Sequence, residues 1–105
     1  MAWQKLARID DIPDDAPLET GTPARPLALY RVDGKVYCTD NLCTHAEAFL
    51  SDGYLEGFEI ECPLHGARFD IRTGHVLCQP ATKDINAYAV RVEGDDVMVD
   101  LPPLS

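Results

Sequence analysis

Two short cysteine–histidine pairs constrain this chain more than any other feature of its sequence. The first is Cys43-Thr44-His45 and the second is Cys62-Pro63-Leu64-His65, with sixteen residues between them. One residue separates the members of the first pair and two separate those of the second. Each short loop can therefore aim both of its side chains at one small volume, and two such loops lying side by side bring four ligands together. A length of 105 residues leaves room for one domain, 1–105, and none for a second.

Two thiolates and two imidazoles suit two kinds of centre. Mononuclear zinc takes the set in a tetrahedral structural site. A [2Fe–2S] cluster of the Rieske type takes it too, with two cysteines on one iron and two histidines on the other. Ligand identity alone leaves both open. The order along the chain favours the cluster: zinc fingers pair cysteine with cysteine and histidine with histidine, whereas here each loop offers one of each.

Composition narrows the setting. There are 18 acidic against 9 basic side chains, a net charge of −9, which disfavours partners built on phosphate, such as nucleic acid or an anionic membrane. Hydrophobic residues make up 46% and charged residues 26%, ordinary for a folded globular chain. Cys38, Cys43, Cys62 and Cys78 are too few and too unevenly spaced for a secreted disulfide framework. The first residues hold no apolar signal core and run directly into Asp10, Asp11, Asp14 and Asp15. No run approaches the ~20 apolar residues of a membrane span. A soluble, cytoplasmic protein is expected, where thiols stay reduced and serve metals.

The punctuation is that of an all-β chain. Runs at 27–32 and 35–39 flank Asp33-Gly34, a strong short-hairpin signal. A second hairpin is predicted from 87–92 and 96–101 around Glu93-Gly94-Asp95, with weaker strands at 3–9, 58–62, 67–71 and 75–77. No long window has a helical period, and 47–50 offers a single turn at most. Pro13, Pro17, Pro23 and Pro26 break the first quarter into turns and edge strands. Many short strands with frequent turns predict a small antiparallel sandwich or barrel.

Further residues join the two pairs in a longer pattern. It comprises Leu50-Ser51-Asp52-Gly53-Tyr54-Leu55-Glu56-Gly57, Ile60-Glu61-Cys62-Pro63-Leu64-His65-Gly66, Phe69-Asp70, Thr73-Gly74 and Pro80. With Cys43-Thr44-His45, this pattern resembles the Rieske-type ferredoxins that serve bacterial aromatic-ring-hydroxylating dioxygenases, such as the naphthalene and biphenyl systems. The resemblance spans essentially the whole chain. It implies a Rieske (ISP-like) fold: an antiparallel β-sandwich or barrel base with a small inserted cluster-binding subdomain, roughly residues 40–80. It also implies one [2Fe–2S] cluster, with Cys43 and Cys62 on the inner iron, His45 and His65 on the outer one, and Pro80 in a third, covering loop. The implied role is one-electron carriage from a flavin-dependent ferredoxin reductase to a terminal oxygenase, by a chain that is itself no enzyme and is monomeric by default.

Charge explains why such a ligand set suits a carrier. Two ferric ions, two sulfides and two thiolates sum to zero with neutral imidazoles, so reduction starts from a neutral centre. Histidine ligation thereby raises the potential, into a class range of roughly −150 to +300 mV. High-potential relatives carry an extra disulfide between the ligand loops, at positions that here are Ala48 and Leu64. A potential near the low end, about −150 mV, is expected.

Other residues have plainer readings. Cys38 reads as a small buried hydrophobe, Cys78 as a neighbour of the covering loop, and His75 as a surface residue. Trp3, Tyr30, Tyr37 and Tyr88 read as core or hairpin aromatics, and Arg68 and Asp70 either as braces for the second loop or as solvated surface residues. Residues 38–66 contain no Lys or Arg but hold Asp40, Glu47, Asp52, Glu56, Glu59 and Glu61, either a simply solvated acidic face or one that steers toward basic partners. Once His45 and His65 are committed, His75 alone remains. That is too few for the two-histidine, one-carboxylate iron site of a terminal oxygenase. A Rieske-like small subunit of another redox enzyme, such as nitrite reductase, and a zinc-stabilised binding module are the competing expectations.

Overall fold

Strand Arg25–Val32 shows how the layers are arranged, because Leu27, Ala28, Leu29 and Tyr30 are all buried. An alternating strand with one wet face cannot bury four consecutive side chains. This one is covered on both sides. Leu27 and Leu29 pack in one core with Ile12, Cys38, Val97, Val99 and Leu101. Ala28 and Tyr30 pack in a second core with Leu50, Ile60, Phe69 and Ile71. The computed structural model describes residues 2–43, 48–64, 66–78 and 83–103.

Eleven strands are described: β1 (Trp3–Arg8), β2 (Leu18–Thr22), β3 (Arg25–Val32), β4 (Lys35–Asp40), β5 (Tyr54–Glu56), β6 (Glu59–Glu61), β7 (Arg68–Asp70), β8 (Val76–Cys78), β9 (Ala87–Tyr88), β10 (Val90–Glu93) and β11 (Asp96–Asp100). They form three antiparallel sheets in the orders β1-β11-β10, β2-β3-β4-β9 and β5-β6-β7-β8. The first two make the base. The third comes entirely from chain lying between β4 and β9, and it shares the Ala28/Tyr30 core. The all-β expectation and its inserted sheet are observed.

The Asp33-Gly34 hairpin forms as predicted. Val32 pairs with Lys35, and both turn residues have positive φ, 53° and 78°, as a primed two-residue turn requires. The predicted strand 87–92 is interrupted. Ala87–Tyr88 pairs with β4, whereas Val90–Glu93 pairs with β11, so the chain changes sheets at Ala89. A 3-10 turn lies at Leu50–Asp52 and shares only Leu50 with the single turn allowed at 47–50, of which Glu47 lies outside the described residues. Two short edge strands, β2 and β5, had no predicted boundaries.

Candidate metal centre

Cys43 and Cys62 both lie in the core between the middle and inserted sheets, at 3% and 1% exposure. Each is held in the same local way. The Cys43 N–H donates to Ala48 O at 2.9 Å, and the Cys62 N–H donates to Ala67 O at 2.7 Å. Outside these bonds, Leu42 pairs with Phe49 and Glu61 with Arg68. Each cysteine is thus joined through its backbone to the alanine five residues on. That spacing is present in the sequence as two Cys-x4-Ala segments, a signal that the motif reading had not used.

Cys43 and Cys62 share one buried hydrophobic cluster, close enough to influence each other's ionisation, and both cysteines are free. Burial pushes the Cys62 thiol up. The Leu64 backbone N–H on its sulfur opposes that shift, while Cys43 and Glu61 add to it. Two adjacent buried thiols can both ionise only if a cation neutralises them, and soft thiolates suit iron–sulfur clusters. The donor set therefore fits a cluster. Among the described residues, no group of three or more His, Cys, Asp or Glu side chains could hold a metal ion. His45 and His65 lie outside the described residues, as does Pro80.

The surroundings brace the second tip. Arg68 bridges Glu61 at 2.8 Å and Glu59 at 3.5 Å across the sheet. Asp70 accepts two bonds from the Arg72 guanidinium and one from the Arg72 N–H. These bonds hold its carboxyl below the usual aspartate value. Arg72 also stacks over Phe58 at 4.2 Å. The chain returning to the base is pinned to the same turn. Ile85 N–H donates to Gly74 O, Val76 N–H donates to Asp84 Oδ1, and His75 Nδ1 lies 3.1 Å from that carboxylate. A Cβ on Gly74 would sit 2.0 Å from Ile85 O, and its φ is +79°, so glycine is required there.

The remaining sequence readings sort clearly. Cys38 is buried in β4, its thiol pushed up to about 12 by burial with a smaller contribution from Asp40. Cys78 is exposed, with its Sγ 3.5 Å from Gly66 O at the second tip. Tyr30 is a core aromatic whose hydroxyl bonds Thr39 Oγ1 at 3.0 Å. The acidic face is partly neutralised. Asp40 accepts bonds from the Tyr88 hydroxyl and the Asn86 N–H, and Glu59 and Glu61 share Arg68. Asp52 and Glu56 remain exposed on either side of Tyr54, which is 66% exposed. Sequence reasoning did not single out Asn41, and named Ser51 only within the longer pattern; the two are hydrogen-bonded to each other beside Cys43.

Comparison with known proteins bears on this geometry. The Rieske [2Fe-2S] domain family matches residues 2–89. The ferredoxin component of the naphthalene 1,2-dioxygenase system of Pseudomonas aeruginosa is 50% identical over 99 residues, covering 94% of this chain and 95% of that one. The solved Sphingomonas yanoikuyae B1 ferredoxin superposes with a TM-score of 0.90 at 41% identity, covering 96% of this chain and all of that one. A chain from the complex of reduced oxygenase and oxidised ferredoxin in carbazole 1,9a-dioxygenase superposes with a TM-score of 0.86 at 37% identity, covering 92% and 91%. With Cys43 and Cys62 buried in one core, the chain belongs to the Rieske [2Fe–2S] domain family.

Proposed function

We propose that this chain is a soluble one-electron carrier. It accepts an electron from a flavin-dependent ferredoxin reductase and delivers it to a terminal oxygenase that hydroxylates aromatic compounds. It is a single domain, monomeric and cytoplasmic, with residues 40–80 as the cluster-binding part. Cys43, His45, Cys62 and His65 are the ligands. When bound, the [2Fe–2S] group supplies a one-electron couple. The protein's own residues do the rest: Cys43 and Cys62 anchor from the dry core, and the Leu64 N–H donates to the Cys62 sulfur. Arg68 and Arg72 compensate the carboxylates nearest the second tip.

The observation that supports this reading most is the burial of Cys43 and Cys62 in one core, in a chain similar to ferredoxin components along 94% of its length. Among the described residues, no helix is long and apolar enough to cross a membrane. The test is reconstitution with candidate reductase and oxygenase pairs. Ring hydroxylation that depends on this protein, and that stops in Cys43→Ser and His65→Ala, is the expected result. Reductase and oxygenase turning over equally well without it defeats the proposal, as does one zinc per chain in place of about two irons and two sulfides.

A further inference from the structure

The two ligand tips close alike but are supported differently. Behind Cys62 stands a regular ladder in which Glu61, Ile60 and Glu59 pair with Arg68, Phe69 and Asp70. Behind Cys43, among the described residues, stands the isolated Leu42–Phe49 bridge, followed on the far side by the 3-10 turn Leu50–Asp52. Asn41 occupies the place where a ladder is missing. It is fully buried, and its N–H donates to Pro26 O on β3 at 3.0 Å while its carbonyl accepts from Leu50 N–H at 2.7 Å. Its side chain then spans the base of the loop. Nδ2 donates to Ser51 Oγ at 2.9 Å, and Oδ1 accepts from Ser51 N–H at 2.8 Å. An amide is costly to bury unless it is bonded, and this one bonds both sides of the segment that carries Cys43.

We propose that Asn41 is a positioning residue for the redox site. Through Ser51 it fixes the first ligand tip on β3 and so sets where the Cys43 sulfur stands relative to Cys62. This inference rests on the reading of Cys43 and Cys62 as cluster ligands. Fixing that sulfur makes the ligand geometry independent of the oxidation state, which is what rapid exchange of one electron requires of a protein frame. The effect is transmitted through the loop base, with no contact between the Asn41 side chain and the cluster required.

The test uses the cluster-loaded protein, reduced with dithionite, as wild type, Asn41→Leu, Ser51→Ala and Ser51→Thr. Four readouts are compared: the EPR spectrum, the midpoint potential, the rate of iron release to a chelator, and the unfolding temperature. Asn41→Leu is expected to release iron about tenfold faster, with a broadened EPR spectrum and a shifted potential. Ser51→Ala should move the same readouts less, and Ser51→Thr, which keeps the hydroxyl, should restore them. Variants that differ only in unfolding temperature overturn the proposal. If Asn41→Leu does not fold, the Ser51 pair decides by the same criteria. Wild type lacking iron and sulfide, or Cys43→Ser retaining the cluster unchanged, defeats the ligand reading instead.

Discussion

Asp70 ties the turn beside the second ligand tip to Arg72, and its titration carries a defined sign. The Arg72 hydrogen bonds hold its folded pKa below the usual 3.8. Its contribution to stability is therefore complete above the unfolded value and is lost as pH falls through the depressed folded value. Asp70→Asn is expected to lower stability at pH 7 and to flatten the pH dependence below about pH 4; denaturant titrations from pH 7 to pH 3 measure both. Gly74→Ala forces a side chain into positive φ and against Ile85 O. It should cost on the order of 1–3 kcal/mol or more by urea unfolding. At this scale, what sequence reveals depends on whether chemistry restricts the residue type. Cys43 and Cys62 stood out as candidate ligands because few side-chain types can hold iron. Asn41 did not, because its partner Ser51 is ten positions away and its burial follows from stacking the sheets.

The cores behind the site connect individual strands to cluster retention. Phe69 on β7 is fully buried in the core that also contains Cys43 and Cys62. Phe69→Ala is expected to cost about 3–5 kcal/mol and to speed iron loss to a chelator. Val92→Ala, on the exposed arm of the terminal hairpin, should change stability by no more than about 0.5 kcal/mol and leave iron loss unchanged. Equal effects from the two substitutions would show that the inserted core does not hold the site. The elements themselves were unevenly legible. Asp33-Gly34 fixed one hairpin because only a primed turn suits that pair. The break at Ala89 was hidden because Tyr88, Val90 and Val92 keep a period of two while the strand changes sheets. β2 lies between Pro17 and Pro23, and β5 has three residues; as edges, neither carries the apolar run that marks a covered strand.

The whole molecule presents its charge unevenly. Of the six acidic side chains between residues 38 and 66, Glu47 lies outside the described residues, Asp40 is bonded internally and Glu59 and Glu61 share Arg68; exposed Asp52 and Glu56 flank Tyr54. Glu56 also stands directly opposite Glu59 in the ladder, a like-charge pairing that stability alone disfavours. With a net charge of −9, encounter with a basic redox partner should depend on screening, whose length is about 10 Å at 0.1 M salt. Reduction by the reductase should slow as salt rises, and Asp52→Lys with Glu56→Lys should slow it at low salt and flatten the profile. A rate indifferent to both would remove the steering role. One-electron carriage itself is tested most directly by an EPR-monitored redox titration of the purified protein. The expected result is a single transition taking up one electron per chain, with a Rieske-type signal and a midpoint near the low end of the class range, about −150 mV. The absence of any reducible signal in protein containing zinc would contradict the carrier role, and a midpoint near +300 mV would contradict the proposed place between a flavin reductase and an oxygenase.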